Sequence, residues 1–425
     1  MISDTPFINL NTIPGLVDFL NDESTNYNDV LKLNKVFCKS SEDAKYSIIS
    51  YNKKFLSFDL VGQSGLFRSV IMNANNNIVS YSPSKSFDLS TFTKMYPDNS
   101  DQSLVAEEFI EGTMINVFWN PLLGLSGGWE IATRNNVGAN CSFFKHNSSK
   151  SKSFREMFLE AAKENHLIID KLNTECCFSF VLQHPDNRIV IPVKNPQLYL
   201  VACYSIDHSD SDNGDIFIYN VPLNNLKNYD WDSTTIQFPK VYTFTNYNEL
   251  TKMFDNNNSP YDIMGLVIKN LKSDSRTIIR NPVYEEVKML RGNQPKLQFQ
   301  YLELRKQRKV KEYLLHFGEH KEPFNQFKTQ LHQFTKALYN NYKSCYIYKA
   351  KPLKEFSPQF RTHMFNVHKI YVSKLMEQKK FVDFKLVIEF VNNLDTSLLM
   401  HSLNYHLLQR NSDEVKAEFY GFVNF

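Results

Sequence analysis

Two short stretches bring together residue types that could do chemistry. Glu107-Glu108-Phe109-Ile110-Glu111-Gly112-Thr113-Met114-Ile115-Asn116-Val117-Phe118-Trp119 reads as a strand, a tight acidic glycine turn and a second strand, and Gly128-Trp129-Glu130-Ile131-Ala132-Thr133-Arg134 follows closely. Met114, Val117 and Trp119 are expected to line one wall of a cleft. Carboxylates, a glycine and a hydroxyl in one turn, with an arginine ending the next strand, make the layout of a nucleotide pocket. The turn holds no lysine, serine, cysteine or histidine, so it offers no obvious nucleophile.

The elements that must position this stretch follow from periodicity. Pro14 to Lys35 reads as a short helix and loop with Leu16, Phe19 and Leu20 on one face. Tyr46 to Ser82 is an antiparallel meander, with strands at 46–51, 55–58, 67–72 and 78–81 and a turn at Asn73–Asn77. A brief helix is expected at 88–96. Ser153 with Glu156 three residues on is the pattern of a capping box, starting a helix at Phe154, after a polar loop at Asn147–Lys152. Strands are expected at 178–182, 188–191, 197–203, 216–219 and 263–268, a turn at His184–Asn187, a helix at 246–254 and a loop at Asn256–Asn258.

From Val283 to Leu408 the period changes to that of helices, with Leu314, Leu315, Phe324, Phe327, Leu331, Phe334, Leu338 and Tyr342 recurring every three or four residues. The ordinary reading of such an aromatic stripe is core packing rather than base stacking. Three regions are therefore expected: a helical and loop collar at 1–45, a β-rich domain at 46–284 and an all-helical domain at 285–425.

Composition narrows the function classes. With 425 residues, 42% hydrophobic and 22% charged, the chain is long enough for two or three cores, and disorder is not indicated. No apolar run approaches the roughly 20 residues of a membrane span, and the first ten residues carry no basic-then-apolar leader. A soluble, cytoplasmic protein in a reducing compartment, with no membrane partner, is expected. The six cysteines show no Cys-x-x-Cys or zinc spacing and read as free thiols. Net charge is only +3, but Arg305, Lys306, Arg308, Lys309 and Lys311 crowd one segment. That run is either a solvated helix face or a contact to nucleic-acid phosphates. Phosphate-cradling glycine loops, zinc-protease signatures and Gly-x-Ser-x-Gly elbows are absent.

The order of these segments resembles the phage-type RNA ligases, a branch of the covalent nucleotidyltransferases. Phe67-Arg68-Ser69-Val70-Ile71 and Tyr81-Ser-Pro-Ser-Lys-Ser-Phe87 are similar to the family's opening strands. Glu107–Ile115 is similar to its nucleophile motif, Lys-x-Asp-Gly-Ser/Thr after an acidic pair, and Trp129–Arg134 to the next strand. Phe178–Leu182 with Pro185–Val190 resembles a Phe-Glu-Leu strand and a Pro-Glu-Asn-Arg-Ile-Val turn. Ile263–Lys269 resembles the Glu-Gly-x-Val strand, and Arg276–Tyr284 sits at the last basic strand. The resemblance spans roughly Tyr46 to Tyr284. It implies an α+β fold: an ATP-grasp-like nucleotidyltransferase domain of antiparallel sheets flanking a cleft, followed by the all-helical domain.

Set against the family pattern, the attacking lysine falls on Phe109, the acid of the Phe-Glu-Leu strand on Val181, the glutamate before glycine on Met264, and the first lysine of the last strand on Ile278. Covalent nucleotidyl transfer needs a nucleophile of depressed pKa, a carboxylate-held metal and cations on the phosphates. Phenylalanine, valine, methionine and isoleucine supply none of these and make an apolar floor. The leading reading is a catalytically degenerate RNA ligase-like protein, a pseudoenzyme with no catalytic or metal-ligating residue. It would bind a nucleotide or an RNA 5′ end, a cap included, and would require no cofactor. Phe109 or Trp129 would stack on a base, Glu111, Gly112 and Thr113 would form the turn beneath it, and Arg134, Arg188, Lys269 and Arg280 would face phosphate or ribose. Arg305, Lys306, Arg308 and Lys309 would follow the strand's backbone. Two other readings stay open: an active RNA ligase or guanylyltransferase using ATP, Mg²⁺ and a displaced lysine (Lys85, Lys194 or Lys269), and a scaffold that docks a protein partner through the helical domain.

Overall fold

A computed structural model describes residues 7–41, 44–97, 103–143, 152–208, 215–223, 226, 229–254 and 260–407. The expected loops at 147–151 and 256–258 lie outside the described residues. The chain forms two compact units, residues 1–291 and 292–425.

The first unit is α+β, built on three sheets whose strands pair antiparallel. The largest has seven strands in the order Ile8–Asn9, Phe217–Asn220, Gln197–Asp207, Cys176–Gln183, Thr113–Asn120, Gly128–Thr133 and Asn136–Val137. A four-stranded sheet runs Val241–Tyr242, Leu104–Glu108, Gly265–Asn270 and Arg276–Arg280. A five-stranded meander runs Tyr27–Asn28, Leu33–Lys39, Lys45–Tyr51, Val70–Met72 and Ile78–Ser80.

Alternation along each strand decides which face is buried against what. On the seven-stranded sheet Ile115, Val117, Phe178, Phe180, Leu182 and Leu200 face the helix Phe154–Glu164, which buries Met157, Phe158, Ala161 and Ala162 against them. That helix starts as its sequence predicts. The Ser153 amide donates to Glu156 and the Glu156 amide donates back to the Ser153 hydroxyl. The other face carries Phe118, Ala132, Cys177 and Tyr204 and packs on Ile48, Ile71 and Tyr81 of the meander. Each large apolar side chain buried this way contributes about 1.5–3 kcal/mol.

Three local expectations are corrected. Between Pro14 and Lys35 the helix is confined to Leu16–Asn21, and the chain then enters the strand Leu33–Lys39, paired along its length with Lys45–Tyr51. Lys35 is buried in that strand because its ammonium donates to the carbonyls of Leu20 and Asp22, at 2.8 and 3.0 Å, closing the orphan carbonyl end of the short helix. Residues 55–58 turn rather than extend. Residues 188–191 form no strand, for a reason that belongs to the cleft.

The second unit is helical: Leu297–Lys306, Val310–His316, Lys321–Tyr342, Pro358–Ile370, Phe384–Asn392 and Thr396–Leu403. Its core takes Tyr301, Tyr313, Phe317, Phe324, Phe334, Leu338 and Val387.

Candidate ligand-binding cleft

The strand Leu104–Glu108 belongs to the four-stranded sheet and the strand Thr113–Asn120 to the seven-stranded one, so residues 109–112 carry the chain from one sheet to the other. The crossing is tight. A Cβ on Gly112, whose φ is +154°, would sit 2.5 Å from the Leu182 carbonyl oxygen and 2.6 Å from Val181. A Cβ on Gly265 (φ +147°) would sit 2.2 Å from the Ile279 carbonyl oxygen. Only glycine fits either place. The Phe109 amide donates to the Gly265 carbonyl at 2.9 Å, tying the crossing to the next strand.

Glu111 turns inward and is 4% exposed. Its carboxylate accepts the amides of Val190, at 3.1 and 3.2 Å, and Ile191, at 3.0 Å. Burial raises its pKa, opposed by a hydrogen bond from Tyr284 and by the two amides. The Tyr284 hydroxyl is correspondingly pushed well above the usual phenol value, by burial first and the Glu111 charge second. This explains why 188–191 is no strand: its amides wrap a carboxylate instead of a neighbouring backbone. Thr113 Oγ1 accepts from Asn187 Nδ2 at 2.9 Å, fixing the same turn.

The floor is set by the same alternation. Phe178, Phe180 and Leu182 face the helix, so Val181 faces the opposite way, as does Met114 paired with it; Val117 and Trp119 point toward the helix, against the expectation that all three share a wall. Ala106, Leu266, Ile268 and Ile279 bury themselves on the far side of the four-stranded sheet. Glu107, Val267, Lys269 and Ile278 therefore occupy its other, half-open face. Phe109 and Met264 are half-buried at the sheet ends.

Cations gather beside this floor. Arg280 stands 5.8 Å from the Phe109 ring centroid. Burial and then Arg68, Arg280 and Arg134 depress the Lys85 pKa; Arg134, burial and Arg68 depress that of Lys53; burial and the neighbouring Arg134 and Arg276 lower Arg68. Arg134 lies over the Tyr51 ring at 4.9 Å, and its buried Nε has no hydrogen-bond partner. Among the described residues no carboxylate stands within ion-pair distance of Arg68, Lys85 or Arg134. Arg280 has one, Glu285 at 2.8 Å, and its side chain is 47% exposed; Arg276, beside Arg68, is paired with Asp274 at 3.0 Å. Like charges crowded without counter-charge are costly unless an anion joins them.

Other residues singled out in the sequence are placed elsewhere. Trp129 is edge-on to Trp119 at 5.5 Å on the helix side of the seven-stranded sheet, away from the cations. There it lines a cavity of about 600 Å³ with Arg155, Leu159 and Ile168. Arg188 curls back to donate twice to the Val190 carbonyl. Lys269 is paired with Glu107 at 2.8 Å. Lys194 is exposed. Arg305, Lys306, Arg308 and Lys309 belong to the second unit and straddle the break between two helices, with Arg308 at φ +63°. Arg305 donates to Asn392, and the last turn of the first helix gains the usual benefit of cations at its carbonyl end. Arg68 and Lys53 join the cations of the cleft with no signature in the sequence, because an isolated cation in a strand or turn has none.

Glu107 is held by Lys269, Glu111 by backbone amides, and among the described residues no three His, Cys, Asp or Glu side chains gather as a ligand set.

No protein-family model matches the chain. Part of it is similar to an RNA ligase. Over 105 residues it is 29% identical to an RNA ligase of Rhodothermus phage RM378, a stretch that covers 24% of this chain and 23% of that protein. Among solved structures, a mutant Naegleria gruberi RNA ligase with ATP and Mn aligns at 13% identity and a TM-score of 0.33, covering 48% of this chain and 57% of that one. An archaeal ATP-dependent RNA ligase aligns at 10% identity and a TM-score of 0.34, covering 88% and 75%. Likeness that loose assigns no residue.

Proposed function

We propose that the first unit is an RNA ligase-like domain that binds a nucleotide or a phosphorylated RNA 5′ end without transferring it. The observation that carries this reading is the gathering of Arg68, Lys85 and Arg134 without a carboxylate, beside an apolar floor at Phe109, Val181 and Ile278. Guanidinium and ammonium groups in a partly desolvated cleft bind phosphate through charge-assisted hydrogen bonds. The Phe109 ring, with Arg280 on it, offers a flat apolar surface for a base. At the position that the resemblance gives to the family's lysine there is no amine, and two carboxylates of that stretch, Glu107 and Glu111, are held by Lys269 and by backbone amides.

The similarity to a phage RNA ligase supports RNA as the polymer. Fluorescence anisotropy with 5′-triphosphate, 5′-monophosphate, capped and 5′-hydroxyl RNA tests the reading. Salt-sensitive preference for a phosphorylated end supports it, and equal affinity for all four ends overturns it.

One observation favours a second reading. Lys85 is an exposed side chain with Arg68, Arg280 and Arg134 around it; partial desolvation and then these charges lower its pKa, which favours the uncharged, nucleophilic amine. In that case its Nζ would attack the α-phosphorus of ATP or GTP, forming a phosphoramidate and releasing pyrophosphate. Incubation with α-labelled ATP or GTP and Mg²⁺ or Mn²⁺, followed by denaturing electrophoresis, separates the two: a label retained by the wild type and lost in Lys85→Arg establishes transfer.

A further inference from the structure

In the second unit two helices end side by side in the same unusual way. Phe334 stacks on Phe360 at 5.3 Å, and eight residues further along both helices the Tyr342 hydroxyl meets His368 Nδ1 at 3.3 Å, so Lys321–Tyr342 and Pro358–Ile370 run parallel. Each continues into a widened π-helical turn, Lys343–Ile347 and Tyr371–Leu375. Such turns re-aim side chains and recur at functional sites.

What they aim here is a column of rings. Tyr346 lies on His368 with centroids 3.9 Å apart and planes 14° apart, and His368 on Tyr371 at 5.7 Å and 24°. Burial lowers the His368 pKa, which keeps the imidazole neutral at the centre of the stack. These three rings are half-buried, whereas the core rings of the same unit, such as Tyr342, are fully covered. Around them the charge is one-sided: residues 321–380 hold twelve lysines and arginines against three glutamates. Lys349, Lys369 and Lys374 are exposed, and none has an ion-pair partner among the described residues.

We infer that this end of the parallel helix pair is a docking surface for single-stranded RNA. Bases would extend the Tyr346–His368–Tyr371 column, and the exposed lysines would neutralise the phosphates. Flat parallel rings with unpaired cations and few acids complement a flexible polyanion that carries flat bases, and such stacking reads no particular sequence. The surface acts independently of the cleft and of any 5′ phosphate.

The test uses the full chain and a 20-nucleotide 5′-hydroxyl RNA labelled at its 3′ end, followed by anisotropy across a salt series. Binding should weaken with salt. The exposed-surface variant Lys349→Ala/Lys369→Ala/Lys374→Ala should bind at least about tenfold more weakly, with the slope of log K against log salt reduced by roughly 0.7 per contacting lysine. Tyr371→Leu, which keeps an apolar side chain but removes the ring, should lose about tenfold in affinity at unchanged slope, and Tyr371→Phe should restore it. Absence of binding to this RNA overturns the inference, even where preference for a 5′ phosphate persists. So does wild-type affinity in the triple-lysine variant, or binding to phosphatidylserine vesicles without binding to RNA.

Discussion

The Arg280 guanidinium lies 5.8 Å from the ring centroid of Phe109, the residue that the sequence resemblance sets at the family's attacking lysine. A lysine at 109 would put a second cation against Arg280, while positions 181, 264 and 278 would still be valine, methionine and isoleucine. Proximity would lower the new amine's pKa, but no metal or phosphate ligand would come with it. Phe109→Lys is therefore expected to form no lysyl-adenylate. Labelling with α-labelled ATP and Mn²⁺ followed by denaturing electrophoresis checks this, and a protein-bound label in the single variant would show the prediction wrong.

Arg68 and Arg134 approach each other with no carboxylate between them, so removing either should relieve repulsion in the free protein and weaken anion binding. A charge-assisted hydrogen bond contributes about 1.5–3 kcal/mol, which is roughly 10- to 100-fold in affinity. Arg68→Ala and Arg134→Ala are each expected to lower affinity for 5′-phosphorylated RNA by that factor while leaving thermal stability equal or higher. Arg188→Ala, whose guanidinium is spent on the Val190 carbonyl, should change affinity far less. Equal losses in all three variants would mean that the cation cluster is not the anion site.

Lys85 gives the cleft a pH dependence with a defined sign. Burial and three neighbouring arginines hold its folded-state pKa below the ordinary 10.5. Between those two values the unfolded chain binds more protons than the folded one, so stability rises with pH as this residue sheds its charge. Anion affinity goes the other way, because the proton lost is part of the site. Affinity for a 5′-phosphate should thus decline on the alkaline side before ordinary lysines titrate, and Lys85→Arg should flatten that decline. Titrating RNA affinity from neutral pH to 10 in both proteins measures it.

Much of this was legible in the sequence because strands and helices with one buried face repeat at periods of 2 and 3.6. The switch to helices near residue 283 declares itself that way, while the capping box at Ser153 is read from its Ser-x-x-Glu spacing and the Cys176–Gln183 strand, buried on both faces, from a short run of apolar residues. Lys35 does not, since a charged residue inside a strand reads as loop until the carbonyls of Leu20 and Asp22 are seen around its ammonium. Ile189-Val190-Ile191 fails in the opposite sense: an apolar β-branched run reads as a strand, yet Glu111, some 80 residues away, claims its amides. The site shows the same division. Arg134 and Arg280 stood out because they flank motif strands, whereas Arg68, Lys53 and the role of Lys85 depend on long-range proximity. Trp129 shows the limit of motif reasoning, since strand parity turns it toward the helix.

Glu111 supplies the sharpest separation of support from recognition. Its carboxylate is the acceptor for the Val190 and Ile191 amides and lies beside the Tyr284 hydroxyl, so Glu111→Ala would leave buried donors unpaired. Each orphaned donor costs about 1–3 kcal/mol, so the two amides give an expected loss of roughly 2–6 kcal/mol in the first unit. Glu111→Gln keeps one carbonyl acceptor but turns an amide N–H₂ toward donors, and should fall between. Chemical denaturation followed by tryptophan fluorescence reads this, since Trp119, Trp129 and Trp231 all lie in that unit. The expected pattern is lost stability with little change in the affinity of the remaining folded protein for phosphorylated RNA. A variant of unchanged stability that no longer binds would place the carboxylate against the ligand, which its four per cent exposure and its amide partners argue against.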